Sequence, residues 1–433
     1  MEAHERVSLF KYLRSKIHWA MVVLMIGSLV GYTIWKKQIR AVNKSSSFLT
    51  KNQVGEFIGD SASFYKFPTE MDVSLEPGKN THAILQYSFD GNLQAQMEEL
   101  FRSYGPDYGA FVALDAKTGR VLSLVSFTKS KDMKDNLALR ATFPSASVFK
   151  VVTAAAAMEN QKILPSTMMS YNGRNHTLYK GNILRERNTR WTRYISLREA
   201  FAKSINTVFG KLGAFTVGSQ ELREYASRFG FNRKIAADFR IQEGKANIPN
   251  DPQDAWGIAQ SSSGYTRDNT MSPLQGAMIA AAVVNDGALM EPYLVQSVFT
   301  QEGESLYTAE AKPFVAHVID PNTAGEMREL MRETVSHGTS RGAFRGFSKS
   351  RAYQNVDVGG KTGSLTGDDP AGKYDWFVGF ANDGNRKIAI AALTVNKKAW
   401  RVKSSYLARR AIETYFKPET RELASVTHAR GKR

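Results

Sequence analysis

Three short islands of reactive side chains constrain this chain more than anything else in it. Ser147-Val148-Phe149-Lys150 heads the run VVTAAAAMEN, Ser204-Ile205-Asn206 follows, and Lys361-Thr362-Gly363-Ser364 comes last. Together they supply a hydroxyl nucleophile, an amine base and a clamp for a carboxylate, the parts needed for acyl transfer through a covalent ester. A fold that uses them must bring all three into one cleft. Ala and Met favour helix, and Phe143-Pro144-Ser145-Ala146 punctuates a helix start. The spacing therefore predicts Ser147 and Lys150 on one helical face. Free backbone N–H groups at the helix N-terminus gather near the serine.

Each island also has decoys, and context separates them. Ser63-Phe64-Tyr65-Lys66 and Ser126-Phe127-Thr128-Lys129 repeat the Ser-x-x-Lys spacing, and Ser170-Tyr171-Asn172 repeats Ser-x-Asn. The segment around Ser63 shows no helical period, and Ser126 ends a strand-like run. Lys117-Thr118-Gly119 lies between GAFVALDA and RVLSLVSF, which reads as a hairpin turn. Lys361-Thr362-Gly363 instead follows VDVGG and precedes YDWFVGFA and KIAIAALTV, so it belongs on or at the end of a sheet strand. Ser204 and Asn206 fall within LREAFAKSINTVFGKLGAF, an amphipathic stretch of helical type, where they could also be plain helix or cap residues.

The ordered trio resembles the signature of penicillin-binding proteins and their β-lactamase relatives. The resemblance runs from about residue 81 to residue 418. GAFVALDAKTGRVLSLVS resembles the family's first hairpin, TAAAAMENQKILP its nucleophile helix, and MSPLQGAMIAAAVVNDGALMEPYLV its long apolar helix. Asp375-Trp376-Phe377-Val378-Gly379-Phe380 resembles the strand after Lys-Thr-Gly. Two stretches depart from the pattern. Pro144-Ser145-Ala146 stands where Pro-Gly is frequent, and LTGDDPAGKY after Ser364 alters the loop beside the groove. The order of elements is helix, hairpin, a large helical block, then strands and a last helix near 403–416. That order implies a mixed α+β domain. The resemblance makes it an antiparallel sheet flanked by helices with a large helical subdomain.

Residues 17–35, IHWAMVVLMIGSLVGYTIW, are uncharged and long enough to span a bilayer, with Trp19 and Trp35 at the two interfaces. No small-residue cleavage pattern follows, so an uncleaved transmembrane signal anchor is expected. Basic residues flank it almost equally. The resemblance places 1–16 in the cytoplasm of a bacterium and the enzyme on the outer, periplasmic side of the inner membrane. Residues 36–80 read as a tether and 419–433 as a basic tail. A tether of about 40 residues leaves no room for a pedestal or glycosyltransferase domain. Cysteine is absent, which removes disulfide, thiol and Cys-based metal chemistry. No His-Glu-x-x-His pattern occurs, and no cofactor or metal is expected. The formal charge of +17 is scattered and lacks a nucleic-acid-binding motif. It suits attraction to anionic membrane or to carboxylate-rich wall polymer, or simply solubility.

The resemblance implies a peptidoglycan D,D-transpeptidase that β-lactams inhibit covalently. Ser147 would attack a D-alanyl-D-alanine stem peptide, Lys150 would take its proton, and Lys361 would be the second cation that keeps Lys150 neutral. Ser204 would relay a proton to the leaving amine, and Asn206 would hold Lys150 and a substrate amide. Lys361, Thr362, Gly363 and Ser364 would bind the substrate, and the backbone N–H groups of Ser147 and Ser364 would form the oxyanion hole. A membrane glycan polymerase is a further partner of that class. Water as acceptor would make the chain a carboxypeptidase. A β-lactamase would need a water-activating residue, and no Glu-x-x-Leu-Asn pattern supplies one. A penicillin-binding sensor or wall-assembly scaffold is the alternative without catalysis.

Overall fold

The computed structural model describes residues 49–76, 79–131, 133–185 and 188–417. The expected anchor at 17–35, its cytoplasmic flank 1–16 and the tail 419–433 lie outside them. Among the described residues no helix is long and apolar enough to cross a membrane.

The elements that position the site begin with helix α1 (Lys51–Ser63) and the hairpin β1 (Glu70–Glu76) and β2 (Lys79–Tyr87). Helix α2 (Gly91–Tyr104) and strands β3 (Tyr108–Asp115) and β4 (Val121–Thr128) follow. A helical block contains α3 (Lys150–Glu159), α4 (Leu197–Ala202), α5 (Asn206–Lys211), α6 (Ala255–Ser263) and α7 (Pro273–Val284). Strands β5 (Val295–Thr300) and β6 (Ser305–Thr308), helix α8 (Pro321–Ser336), strands β7 (Asp357–Asp368), β8 (Ala371–Asn382) and β9 (Lys387–Asn396), and helix α9 (Ser404–Tyr415) complete it.

The main sheet is antiparallel, in the order β7-β8-β9-β3-β4. Its middle strands are apolar on consecutive positions because both faces are covered. On one face α7, all of whose residues are buried, lies against Val378, Ala391 and Val112. A Cβ on Gly276 would stand 3.1 Å from Val378 and 3.2 Å from Ala391, so glycine lets helix and sheet approach closely. On the other face Phe101 of α2 and Leu407 and Ile412 of α9 pack over Phe111, Phe377 and Ile390. Strand β7 is left at an edge. The expected mixed α/β arrangement of an antiparallel sheet, flanking helices and a helical subdomain is what the chain adopts. Lys117-Thr118-Gly119 is the hairpin turn between β3 and β4, with Gly119 at φ 82° and the Asp115 carboxylate accepting from Lys117 and Thr118 N–H.

The tether reading fails from residue 49 onward. Leu49, Val54, Ile58 and Ala62 are buried in the main core, and Leu49 N–H donates to Leu306 O at 2.9 Å. Strands β1 and β2 join β5 and β6 in a second, four-stranded sheet. Val54, Ile58 and Ala62 recur every four residues, one apolar side chain per turn, and the helix kinks at Gly59 (φ 16°, ψ −106°) before the turn that buries Ala62. Ser63 thus ends a helix, against the expectation of an aperiodic segment. An apolar face so thin among polar neighbours is stable only when packed against a body.

Candidate active site

Ser147 sits in a tight 3-10 turn, Ala146–Phe149, that runs straight into α3. Ala146 has φ 47°, the left-handed region an alanine adopts only at a cost. Surrounding contacts hold the turn there: Ser145 N–H donates to Asn269 O at 2.7 Å, and Trp376 Nε1 donates to Pro144 O at 2.9 Å. Helix α3 is buried on every side from Lys150 to Met158. Lys150 therefore points its amine into a closed pocket.

Three oxygens surround that amine. Asn206 Oδ1 is 2.7 Å away, the Ser263 carbonyl oxygen 2.6 Å and Ser147 Oγ 2.8 Å. Asn206 is oriented by its Nδ2, which donates to His176 O at 2.9 Å. Both Asn206 Oδ1 and the Ser263 carbonyl can only accept. A neutral amine gives them its two hydrogens and is left with one lone pair, facing the Ser147 hydroxyl, which then donates to it. Burial, and after it the Lys361 ammonium, holds Lys150 well below the ordinary lysine range. The amine is thus placed by hydrogen bonding and kept neutral by its surroundings.

Ser204 and Asn206 do not lie within one helix as the amphipathic pattern suggests. The chain breaks between α4 and α5, with Ser204 at φ 55°. The break turns Ser204 Oγ toward Lys361 Nζ, 2.9 Å away, and Asn206 toward Lys150. Lys361 is fully buried, and burial lowers its pKa to about 7. Its ammonium lies 5.4 Å from the centre of the Phe201 ring, an attraction that favours the charged form.

Thr362, Gly363 and Ser364 lie along the edge strand β7. A Cβ on Gly363 would stand 3.3 Å from the Ala146 Cβ, so the strand passes directly beside the turn that carries Ser147. Thr362 Oγ1 pairs with Thr339 Oγ1. The strand runs unbroken to Asp368, so LTGDDPAGKY is a long hairpin arm. Arg267 pins its tip through Asp368 at 2.5 Å, and Arg140 through Asp369 at 2.6 Å.

A cleft of about 820 Å³ collects Ser147, Ser204, Asn206, Thr362 and Ser364 on its walls. The fully buried amines of Lys150 and Lys361 stand just behind them. The decoys stay apart: none of Ser63, Ser126, Ser170 or Lys117 lines it. Several further residues of the cleft were not singled out from sequence. The Ser263 carbonyl left no signal, because every residue has one. Gly264 ends α6 at φ 67°, and a Cβ there would meet Ala146 O at 1.8 Å. His176 lines the cleft, its pKa lowered chiefly by burial. Thr339 is presented by the loop after α8, where a Cβ on Gly338 would meet Ala202 O at 2.4 Å. Asp375 faces Ser364 across the strand pair and accepts from Ser404 N–H at 2.7 Å and Lys403 Nζ at 3.3 Å.

Fold and cleft together define the class: a serine and an uncharged lysine amine, beside a second buried lysine on the edge of an antiparallel sheet. Residues 109–413 match the model of the penicillin binding protein transpeptidase domain, and the chain belongs to that family. It is 30% identical to the peptidoglycan D,D-transpeptidase PbpA of Mycolicibacterium smegmatis over 67% of this chain and 62% of that protein. Against PbpA of Mycobacterium tuberculosis the identity is again 30%, over 68% and 63%. Stage V sporulation protein D of Bacillus subtilis is 26% identical over 72% of this chain and 47% of its own length. The chain thus spans less than two thirds of these relatives. Among solved structures, the imipenem acyl-enzyme complex of penicillin-binding protein A from M. tuberculosis superposes with a TM-score of 0.63. That match has 25% identity and covers 77% of this chain and 80% of the other.

Proposed function

We propose that this protein is a serine-type peptidoglycan D,D-transpeptidase, and that β-lactams inactivate it by acylating Ser147. One observation carries the reading: the Lys150 amine, with both hydrogens engaged by Asn206 and Ser263, has its lone pair free for the Ser147 proton. The relatives named D,D-transpeptidase and the acyl-enzyme of the mycobacterial neighbour support the same chemistry.

In this mechanism the Ser147 proton passes to Lys150 as Oγ attacks the carbonyl of the penultimate D-alanine. The N–H groups of Ser147 and Ser364 hold the oxyanion. Collapse breaks the C–N bond, and the leaving D-alanine amine takes a proton through Ser204. Its carboxylate rests on Lys361, Thr362 and Ser364. An amine of a second stem peptide then attacks the ester, returns its proton along the same route and releases Ser147. Residues 17–35 anchor the chain in the inner membrane, with the enzyme on the periplasmic side beside a membrane glycan polymerase.

Labelled benzylpenicillin tests the assignment. The wild type forms a covalent adduct stable to denaturation, and mass spectrometry places it on Ser147. The Ser147→Ala variant forms none; an adduct on that variant would refute the nucleophile. Lys150→Ala keeps its fold and acylates about 10²–10⁴-fold more slowly, the span of a lost general base.

A further inference from the structure

The helical side of the molecule carries a surface that acyl transfer does not use. Seven of the thirteen exposed large apolar or aromatic side chains among the described residues lie between Leu164 and Phe215, so the exposure is concentrated there. Trp191 is 70% exposed, Tyr194 61% and Tyr179 55%. Residues 162–211 also hold ten Lys or Arg against two Glu, an excess of eight in a chain whose whole excess is 17. Arg174, Lys180, Arg185 and Arg190 have no carboxylate partner among the described residues. Arg190 lies 4.8 Å from the centre of the Trp191 ring, which spreads a cation over an exposed aromatic face.

This surface and the cleft share a wall, the segment 172–176. On the cleft side Asn175 O accepts from Asn206 N–H at 2.8 Å and His176 O from Asn206 Nδ2 at 2.9 Å. On the outer side Arg193 donates to Gly173 O, and a Cβ on Gly173 would lie 3.7 Å from the Tyr179 ring. A polymer whose peptide end occupies the cleft and whose chain runs on across this wall comes to Tyr179, beside Gly173, and to the strand pair of residues 168–171 and 193–196 into which Trp191 leads. Isolated aromatics and cations also suit a lipid face or a nucleic acid. Continuity with the cleft favours the reactant's own polymer. Sugar rings pack their C–H faces on aromatic rings, and stem-peptide carboxylates pair with unpartnered arginines.

We propose that the surface formed by Tyr179, Trp191 and Tyr194 with Arg174, Lys180 and Arg190 binds the anionic glycopeptide strand whose stem peptide acylates Ser147. This rests on the transpeptidase reading. The test uses the full chain in detergent, with soluble uncross-linked glycan strands bearing pentapeptides as the probe. The double variant Tyr179→Ala/Trp191→Ala and the charge reversal Arg174→Glu/Arg190→Glu should each bind the strands about tenfold more weakly. Both should acylate with benzylpenicillin at the wild-type rate, which also shows that they fold. Wild-type strand binding should weaken as salt is added. Undiminished strand binding by the two variants overturns the proposal. So does a loss confined to vesicles containing phosphatidylglycerol or to single-stranded DNA, which would assign the surface to lipid or nucleic acid. Failure of the wild type to acylate at all would sink the transpeptidase reading instead.

Discussion

Lys150 and Lys361 are the same side chain held in different states by their neighbours. Both are buried, which disfavours charge on each. Lys150 additionally feels the Lys361 cation and is held well below the ordinary lysine range, while burial brings Lys361 down to about 7. In the proposed mechanism the first serves as the base at neutral pH, and the protonated fraction of the second, about half, serves the carboxylate. As pH falls, Lys150 gains a proton and stops accepting from Ser147. As pH rises through about 7, Lys361 loses its charge and carboxylate binding weakens. The second-order rate of acylation by benzylpenicillin should therefore be bell-shaped, reporting the free protein. Lys361→Arg should extend the alkaline side, because guanidinium does not deprotonate there. A rate that is level from about pH 6 to about pH 9 would contradict this division of labour. The residue types were legible in the sequence; their protonation was not, because it depends on burial by segments far along the chain.

At the scale of elements, the site is made of interruptions. The Ser147 turn ahead of α3, the break between α4 and α5, and the end of α6 each place one component. The amphipathic pattern around Ser204 reads straight through the break, since the apolar spacing on either side is helical. Only the positive φ at Ser204 reorients it, and a serine does not announce that conformation as glycine would. Gly264 does, but as an ordinary helix C-cap. Its contact with Ala146 O makes it more than that. Gly264→Ala should lower stability by at least about 1–2 kcal/mol from the left-handed backbone alone. Because any Cβ there pushes on the turn carrying Ser147, acylation should slow by more than the loss of folded protein explains. Thermal melting and acylation measured on one sample separate the two effects; normal acylation would show that the turn yields without consequence.

Over the whole molecule, the segment expected to be a tether is part of the fold, and one buried acid marks the joint. Asp238 accepts from Leu294 and Val295 N–H at 2.8–3.2 Å where β5 begins, beneath Gly55 of α1. Burial raises its pKa from 3.8 to about 6. Between those values the folded state keeps a proton that the unfolded chain has released. Protonation therefore stabilises the fold at the acid end, and this contribution, about 3 kcal/mol at most, is lost as pH rises through the window. Wild type should lose more stability than Asp238→Asn between pH about 4 and about 6.5, as read by urea denaturation. Parallel curves for the two proteins would exclude the linkage.

What the sequence determined by itself is chemical and local. Ser147 and Lys150 three residues apart, Ser204 with Asn206, and Lys361 heading Thr362-Gly363-Ser364 are short patterns that survive without knowledge of the fold. So are the alternating and continuous apolar runs of β3, β4, β8 and β9. Only tertiary structure decided that the chain breaks at Ser204, that the Ser263 carbonyl accepts a hydrogen bond from Lys150, and that Leu49, Val54, Ile58 and Ala62 belong to the core. The reason is physical. Covalent spacing limits what neighbours in sequence can do, whereas dielectric, hydrogen-bond partners and a free lone pair are set by whatever distant chain comes to lie within about 3 Å.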